Sequence, residues 1–345
     1  MPRDAWTEEP DREALCDEAR ALAARVLAGE RAAIAEALNQ VDDNRAAYRE
    51  RRLVLLDTLV KQPPGLRIGV TGAPGAGKST LLDALVTGLR KQGRSVGVLA
   101  VDPSSQRTGG ALLGDRLRLS SAARDAGVFL RSLAARDQLG GLSEVTAPSL
   151  SVLSRALDCV FVETVGIGQS EAGVIDLVDT LVFVAQPAAG DLIQFMKAGI
   201  LEWPDVFFVN KSDLGDVAGR AVAELKAGLD LSHRRDPERT PPVLSGSARD
   251  GVGIDALIDA IDEHARWLKQ SGRGAERSRT GREARIRQAL AVRYGRYGLA
   301  QLAPSSPIES RIAAYEGVSA ERVIDALGLE IERALTRDLP PDQGR

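Results

Sequence analysis

The chain has 345 residues, 44% of them hydrophobic and 27% charged, enough apolar material for a sizeable core, which excludes wholesale disorder and a small disulfide-stapled scaffold. Lys and Arg number 45 against 48 Asp and Glu, a net charge of -3, so polyanion binding has no electrostatic basis and nucleic acid is not an expected partner. Two cysteines, Cys16 and Cys159, and two histidines, His233 and His264, lie far apart, so they spell neither a disulfide framework nor a zinc or nickel site, and a reducing compartment fits best.

Residues 1–25 are acidic and charge-rich, and no apolar run reaches about 18 residues. A soluble, cytoplasmic protein without membrane contact is expected. Residues 11–60 carry helical periodicity, with Leu15, Ala19, Leu22 and Val26 on one face, a break at Gly29, and a later stripe of Leu53, Leu56 and Val60. Pro63, Pro64 and Gly65 stop the helix. The pattern then changes to short apolar runs at 68–71, 96–101, 160–162, 181–185, 206–209 and 242–244, separated by helix-length segments. Strands alternating with helices predict an α/β fold with a mainly parallel sheet covered on both faces. A helix is expected around 254–268, then a solvated linker at 271–283 (SGRGAERSRTGR lies within 271–282), then further helix over 284–335. The expected partition is an N-terminal helical segment (1–62), a nucleotide-binding domain (63–270), the linker (271–283) and a C-terminal helical arm (284–345).

Gly72-Ala73-Pro74-Gly75-Ala76-Gly77-Lys78-Ser79 matches G-x-x-x-x-G-K-[ST] between a predicted strand and a predicted helix that runs from Thr80 to Lys91. Glycines let successive backbone N–H groups turn inward on a polyphosphate, and the helix N-terminus adds favourable partial charge. Lys78 is placed on the β- and γ-phosphates and the Ser79 hydroxyl on Mg²⁺, with Thr80 completing the loop. Lysine occurs only seven times among 45 basic residues, so an ammonium kept at this position suggests that a compact point charge is wanted.

Asn210-Lys211-Ser212-Asp213 follows the 206–209 run, putting N-K-x-D at a strand's C-terminal end, where α/β sheets bind ligands. The Asp213 carboxylate can accept from both N1–H and N2–H₂ of guanine, whereas adenine lacks that donor pair and leaves the carboxylate unsatisfied, at a cost of about 1–3 kcal/mol. Asn210 is expected to brace the loop and the Lys211 stem to cover the purine. Ser247-Ala248 is expected to offer a backbone N–H to guanine O6.

Asp102 ends the 96–101 run and Glu163 the 160–162 run, so both can face the γ-phosphate; with Asp115 they are the candidate metal acids, since Mg²⁺ takes oxygen ligands and keeps several waters. The small, glycine-rich stretch between Asp102 and Asp115 suits a loop that orders around γ-phosphate. Glu163-Thr164-Val165-Gly166 stands where a D-x-x-G turn would stand, and the Gly166 N–H can sense the γ-phosphate. Lys78, Asp102, Glu163 and Gly166 form the expected catalytic set. Gln169, Arg107 and Arg116 are further candidates for orienting water or offsetting charge, and without an assured arginine finger slow intrinsic hydrolysis is expected.

In this order, GAPGAGKST, VDPSS, TGGALLGDR, ETVGIGQSE, QPAAGD and NKSDL resemble the MeaB/ArgK family of P-loop GTPases, the G-protein chaperones of adenosylcobalamin-dependent methylmalonyl-CoA mutase. The likeness spans about residues 20–265. It implies phosphate and magnesium contacts at Lys78 and Ser79, metal-site acids at Asp102, Asp115 and Glu163, and guanine contacts at Asn210, Lys211 and Asp213. It also implies a homodimer formed through the C-terminal arm, GTP and GDP as ligands, and a cobalamin-dependent acyl-CoA mutase as partner. A family switch loop corresponds to 186–197, where Asp191 and Lys197 fit; Leu192 and Phe195 replace an acid and a glycine of the family pattern. Competing readings are an ATPase or kinase linked to amino-acid transport, a metal-insertion GTPase, for which cysteine and histidine are too sparse, and an interaction protein that binds nucleotide without turnover.

Overall fold

The computed structural model describes residues 12–43, 45–103, 125–135, 144–164, 171–187, 199–302 and 307–337. They fall into two compact units, one made of residues up to 64, 147–156 and 285 onward, the other of 65–146 and 157–284.

The second unit is built on seven strands: β1 (Leu66–Gly72), β2 (Val96–Pro103), β3 (Val128–Ala135), β4 (Cys159–Glu163), β5 (Thr180–Ala185), β6 (Val206–Val209) and β7 (Val243–Ser245). Their order is β3-β2-β4-β1-β5-β6-β7. Every neighbouring pair runs parallel. In β4 and β5 every residue is buried, as expected of central parallel strands covered on both faces. Phe161, Phe183, Phe207 and Phe208 are among the largest fully buried side chains, and each such burial contributes about 1.5–3 kcal/mol.

The α4 helix (Lys78–Lys91) follows β1 and buries Leu81, Leu82, Leu85, Val86 and Leu89 against the sheet. The α7 helix (Asp216–Leu231) packs Ala221, Leu225 and Leu229 with Phe183 and Phe207, and α8 (Ile254–Ser271) buries Ile254, Leu257, Ile258 and Ile261 on the α4 side. A short helix, α6 (Glu171–Ile175), precedes β5.

Two features differ from the sequence-based reading. β3 was not expected: its apolar run, Val128 to Leu130, is short and is followed by Arg131 and Ser132; Val128 and Leu133 are buried, while Phe129 to Ser132 are only partly so. Residues 273–283, expected as a solvated linker, open the 30-residue helix α9 (Arg273–Leu302). The segment is solvated as expected at Ala275, Glu276, Ser278, Arg279 and Thr280, but it is helical and anchored by Arg277, 9% exposed, which donates to Asp205 at 2.8 Å and also bonds Asp236. The α9 backbone departs from helical geometry at Gly295, where φ is 65°.

The first unit contains α1 (Arg12–Leu27), α2 (Arg31–Asp42), α3 (Arg49–Leu59), the part of α5 (Thr146–Ala156) from residue 147, the later half of α9, α10 (Ile308–Ala313) and α11 (Ala320–Arg337). Ala19, Leu22 and Val26 are buried as the periodicity predicts, and Gly29, at φ 77°, ends α1. Helices from both chain ends join here. Asp57 accepts from the Ser319 hydroxyl at 2.7 Å and from Arg322 Nε at 2.7 Å, and Arg322 also reaches Glu50 at 2.9 Å. Ile286, Leu290, Ile312, Val323, Leu327 and Ile331 form an apolar cluster among the C-terminal helices, and Leu22, Ile34, Leu38 and Leu56 are buried in the N-terminal ones.

Candidate nucleotide site

Because all seven strands are parallel, the loops that follow them open on one edge of the sheet, and β1 lies between β4, reached by returning from β3, and β5, where the chain turns to the other side. Such a crevice is where open α/β sheets take ligands. The 72–79 loop leaves β1 at this point. Its backbone needs glycine: Gly75 and Gly77 have φ of 79° and 88°, and a Cβ on Gly72 would lie 2.2 Å from the Val184 carbonyl of β5.

Lys78, 8% exposed, folds its ammonium back over the loop and donates to the carbonyls of Gly72 at 2.8 Å and Ala73 at 3.2 Å. An ammonium held by carbonyls in the centre of a ring of amides can exchange them for phosphate oxygens without moving far. At the next residue of α4, Ser79 Oγ donates to Glu163 Oε1 at 2.8 Å, and Glu163 is 7% exposed at the end of β4. The parallel register Val70↔Glu163 is what sets that carboxylate beside the loop. Pro74, Gly75 and Thr80 are exposed, Ala73 and Ala76 buried.

Asn210, 3% exposed, joins three loops. Its Nδ2 donates to the Ala76 carbonyl at 2.8 Å, and its Oδ1 accepts from the Ala248 N–H at 2.9 Å. Lys211 is in the left-handed region at φ 62°, unusual for a side chain of this size, and its ammonium donates to the Gly75 carbonyl at 2.8 Å and to Gln186 Oε1 at 2.9 Å. Ser212 N–H bonds the Gly246 carbonyl at 2.9 Å, closing the 210–213 loop against the one after β7. Asp213, 30% exposed, pairs with Arg249 at 3.2 Å. Ser247 Oγ donates to Asp250 at 2.7 Å. The Ala248 N–H, expected for guanine O6, is engaged by Asn210 instead, so its geometric role here is to fix the bracing asparagine.

The sequence-derived residues thus separate into three groups. Gly72 to Thr80, Glu163, Asn210, Lys211, Asp213, Ser247 and Ala248 converge on one edge. The backbone of Asp102 ends β2 on the same edge, while its side chain and Asp115, Gly166, Asp191 and Lys197 lie outside the described residues, as do Gln169, Arg107 and Arg116. Gln186 and Arg249 are contacts that spacing did not single out as members of the base site, because only the fold brings the ends of β5 and β7 beside the 210–213 loop.

Elsewhere, Asp205, Asp236 and His264 bring ligand atoms within 4.8 Å of one another. The Arg277 guanidinium bonds both carboxylates, so a cation of the protein's own already sits in that cluster. Burial pushes the His264 imidazole down to about 4, the neutral form also accepting or donating at Thr180 Oγ1 over 2.8 Å. The Cys159 thiol, buried at the start of β4, is pushed up to about 11 by burial, which removes it as a nucleophile. No helix among the described residues is long and apolar enough to cross a membrane.

A family model described as methylmalonyl Co-A mutase-associated GTPase MeaB matches residues 34–293. The chain belongs to the MeaB family. A protein of Pyrococcus horikoshii whose name marks it as a candidate GTPase is 40% identical over 271 residues, covering 77% of this chain and 84% of that protein. The mouse mitochondrial methylmalonic aciduria type A homolog is 37% identical over 267 residues, covering 73% of this chain and 64% of that one. Among solved structures, one titled LAO/AO transport system kinase superposes with a TM-score of 0.67 at 28% identity, covering 93% of this chain and 98% of that chain. The MeaB match runs through the phosphate loop, the Glu163 strand end and the Asn210 loop, and the chain is a GTPase of that family.

Proposed function

We propose that this MeaB-family GTPase hydrolyses GTP to GDP and phosphate and uses the difference between its nucleotide states to gate cofactor loading or protection of a cobalamin-dependent acyl-CoA mutase, methylmalonyl-CoA mutase or a relative. The observation that carries the nucleotide part is the pair of hydrogen bonds made by the Asn210 side chain. It ties the phosphate loop, through Ala76, to the loop after β7, through Ala248, and so holds Asp213 at a fixed distance from Lys78. A ligand that fills both stations has a triphosphate at one end and a base with adjacent N–H donors at the other. The mutase part rests on the family description and on the name of the mouse relative.

On this reading the amides of 73–78 and the Lys78 ammonium bind the phosphates, and Lys78 gives up its two carbonyl partners to do so. The oxygen donors Ser79 and Glu163, bonded to each other at 2.8 Å, suit Mg²⁺, with Asp102 and Asp115 as further candidates. When bound, the ion supplies positive charge against the β- and γ-phosphates. Glu163 orients the Ser79 hydroxyl, and Gly166 is the proposed sensor of the γ-phosphate. Asp213 reads the purine, and Lys211 holds the phosphate loop and Gln186 together beneath it. Asp191 and Lys197, in the 186–197 segment, are proposed to pass nucleotide state to the partner. A homodimer formed through 284–345, the four-part domain partition and a cytoplasmic location belong to the same proposal.

The test is affinity capture and phosphate release with an adenosylcobalamin-dependent mutase. Association that differs between GDP and a non-hydrolysable GTP analogue, together with a changed hydrolysis rate, is expected. Equal association in both states, or none, overturns the chaperone role and leaves the GTPase.

A further inference from the structure

The base-reading loops contain a cation that the motif pattern leaves without a role. Arg249 follows Ala248 directly, and its Nη2 donates to Asp213 Oδ2 at 3.2 Å. The same guanidinium donates to Asp250 from Nε at 3.1 Å and from Nη2 at 3.3 Å, and Asp250 is itself held by Ser247 Oγ at 2.7 Å. The Arg249 side chain is 72% exposed and that of Asp213 only 30%. The carboxylate assigned to guanine therefore already has a donor, carried on a solvent-facing arm whose other anchor is Asp250.

The donor's chemistry resembles the ligand's. A guanidinium presents coplanar N–H groups side by side, and the N1–H and N2–H₂ edge of guanine does the same. Arg249 already takes one of the acceptor positions on Oδ2, so the paired N–H groups of guanine meet a carboxylate whose charge and in-plane space are shared with the guanidinium. Lys211, its neighbour on the loop, spends its ammonium on Gly75 and Gln186, so among the described residues Arg249 is the cation paired with Asp213.

We propose that Arg249 is an internal competitor of guanine for Asp213, occupying the base-reading carboxylate until the purine displaces it and thereby setting the affinity and entry rate for guanine nucleotides. The proposal rests on Asp213 being the base reader. Displacement is cheap. The pair is solvent-exposed, so it holds the carboxylate by no more than about fivefold, and Asp250 keeps the guanidinium once Asp213 is taken. An arginine that instead gripped the bound nucleotide would act with the opposite sign.

The experiment is a double-mutant cycle by calorimetry and stopped-flow mixing, with GDP and xanthosine diphosphate in the presence of magnesium, on wild type, Arg249→Ala, Asp213→Asn and the double variant. Expected is GDP binding about two- to fivefold tighter in Arg249→Ala, through faster association. Asp213→Asn is expected to lose GDP affinity and gain xanthosine diphosphate affinity, and Arg249→Ala is expected to add nothing in that background. If Asp213→Asn switches to xanthine but Arg249→Ala binds GDP no tighter than wild type, the competitor role is overturned and the base reading stands. If Asp213→Asn leaves GDP and xanthosine diphosphate affinities unchanged, the base reading itself fails, and the competitor role with it.

Discussion

Glu163 keeps a carboxylate almost out of solvent at the end of β4, with the Ser79 hydroxyl bonded to it. A formal charge in such a position is costly unless something cationic or strongly polar meets it. Glu163→Gln preserves the volume and an oxygen for Ser79 but removes the charge that a divalent cation would meet. GDP affinity in EDTA should stay within about twofold of wild type, whereas the gain in affinity on adding magnesium should shrink about tenfold or more, a loss comparable to that of one charge-assisted bond. A magnesium response equal to wild type would remove Glu163 from the metal site. His264 makes a second test at this scale, one of stability. Its folded value near 4 lies below the ordinary 6.5, so the unfolded chain binds the extra proton first, and the stabilisation present above pH 6.5 is lost as pH falls toward 4. Denaturant unfolding at pH 5 should show about 2 kcal/mol less stability than at pH 8 from this group, a difference that His264→Gln abolishes. The residues that spacing alone could find are those that stand inside a short contiguous motif, whatever their partners: Lys78, Ser79, Asn210 and Asp213. Gln186 and Arg249 were not legible as base-site contacts, because their partners lie 25 and 36 positions away along the chain and only strand order brings them together.

At the scale of the elements, the phosphate loop and the 210–213 loop behave as one piece. Gly77 shows why. Its φ of 88° is left-handed, and a Cβ there would stand 2.5 Å from Asn210 Nδ2, the atom that bonds Ala76. Gly77→Ala therefore combines backbone strain of about 1–2 kcal/mol with loss of the tie between the loops. Thermal unfolding should move down by a few degrees and GDP affinity should fall by about tenfold or more, while far-ultraviolet dichroism stays native. Unchanged GDP affinity would mean that the Asn210 tie does not position the site. The central strands were legible as unbroken apolar runs because both of their faces are buried. β3 was not, because its three-residue apolar run is broken by Arg131 and Ser132; edge position alone does not hide a strand, since β7 is also an edge and its run at 242–244 was legible. The 271–283 segment misled for a different reason: Ala, Glu and Arg are good helix formers, so a polar, largely exposed stretch is helical here, and Arg277 anchors it on Asp205 and Asp236.

At the scale of the whole molecule, an all-parallel sheet sets the 72–79 loop, Glu163 and the loops after β6 and β7 on one edge, and helices from both chain ends belong to one compact unit, tied by the bonds of Asp57 and Glu50 to Ser319 and Arg322. That sharing was illegible in the sequence, where the two helical ends stand more than 200 residues apart and nothing in their periodicity says that Asp57 meets Ser319 and Arg322. The central claim concerns the edge: it grips a triphosphate through Lys78 and selects guanine through Asp213. Phosphate release from equimolar GTP and ATP, compared between wild type and Lys78→Ala, addresses it most directly. The account predicts slow release from GTP, at least tenfold less from ATP, and none above background in Lys78→Ala. ATP turned over as readily as GTP, or a Lys78→Ala rate equal to that of wild type, would contradict it.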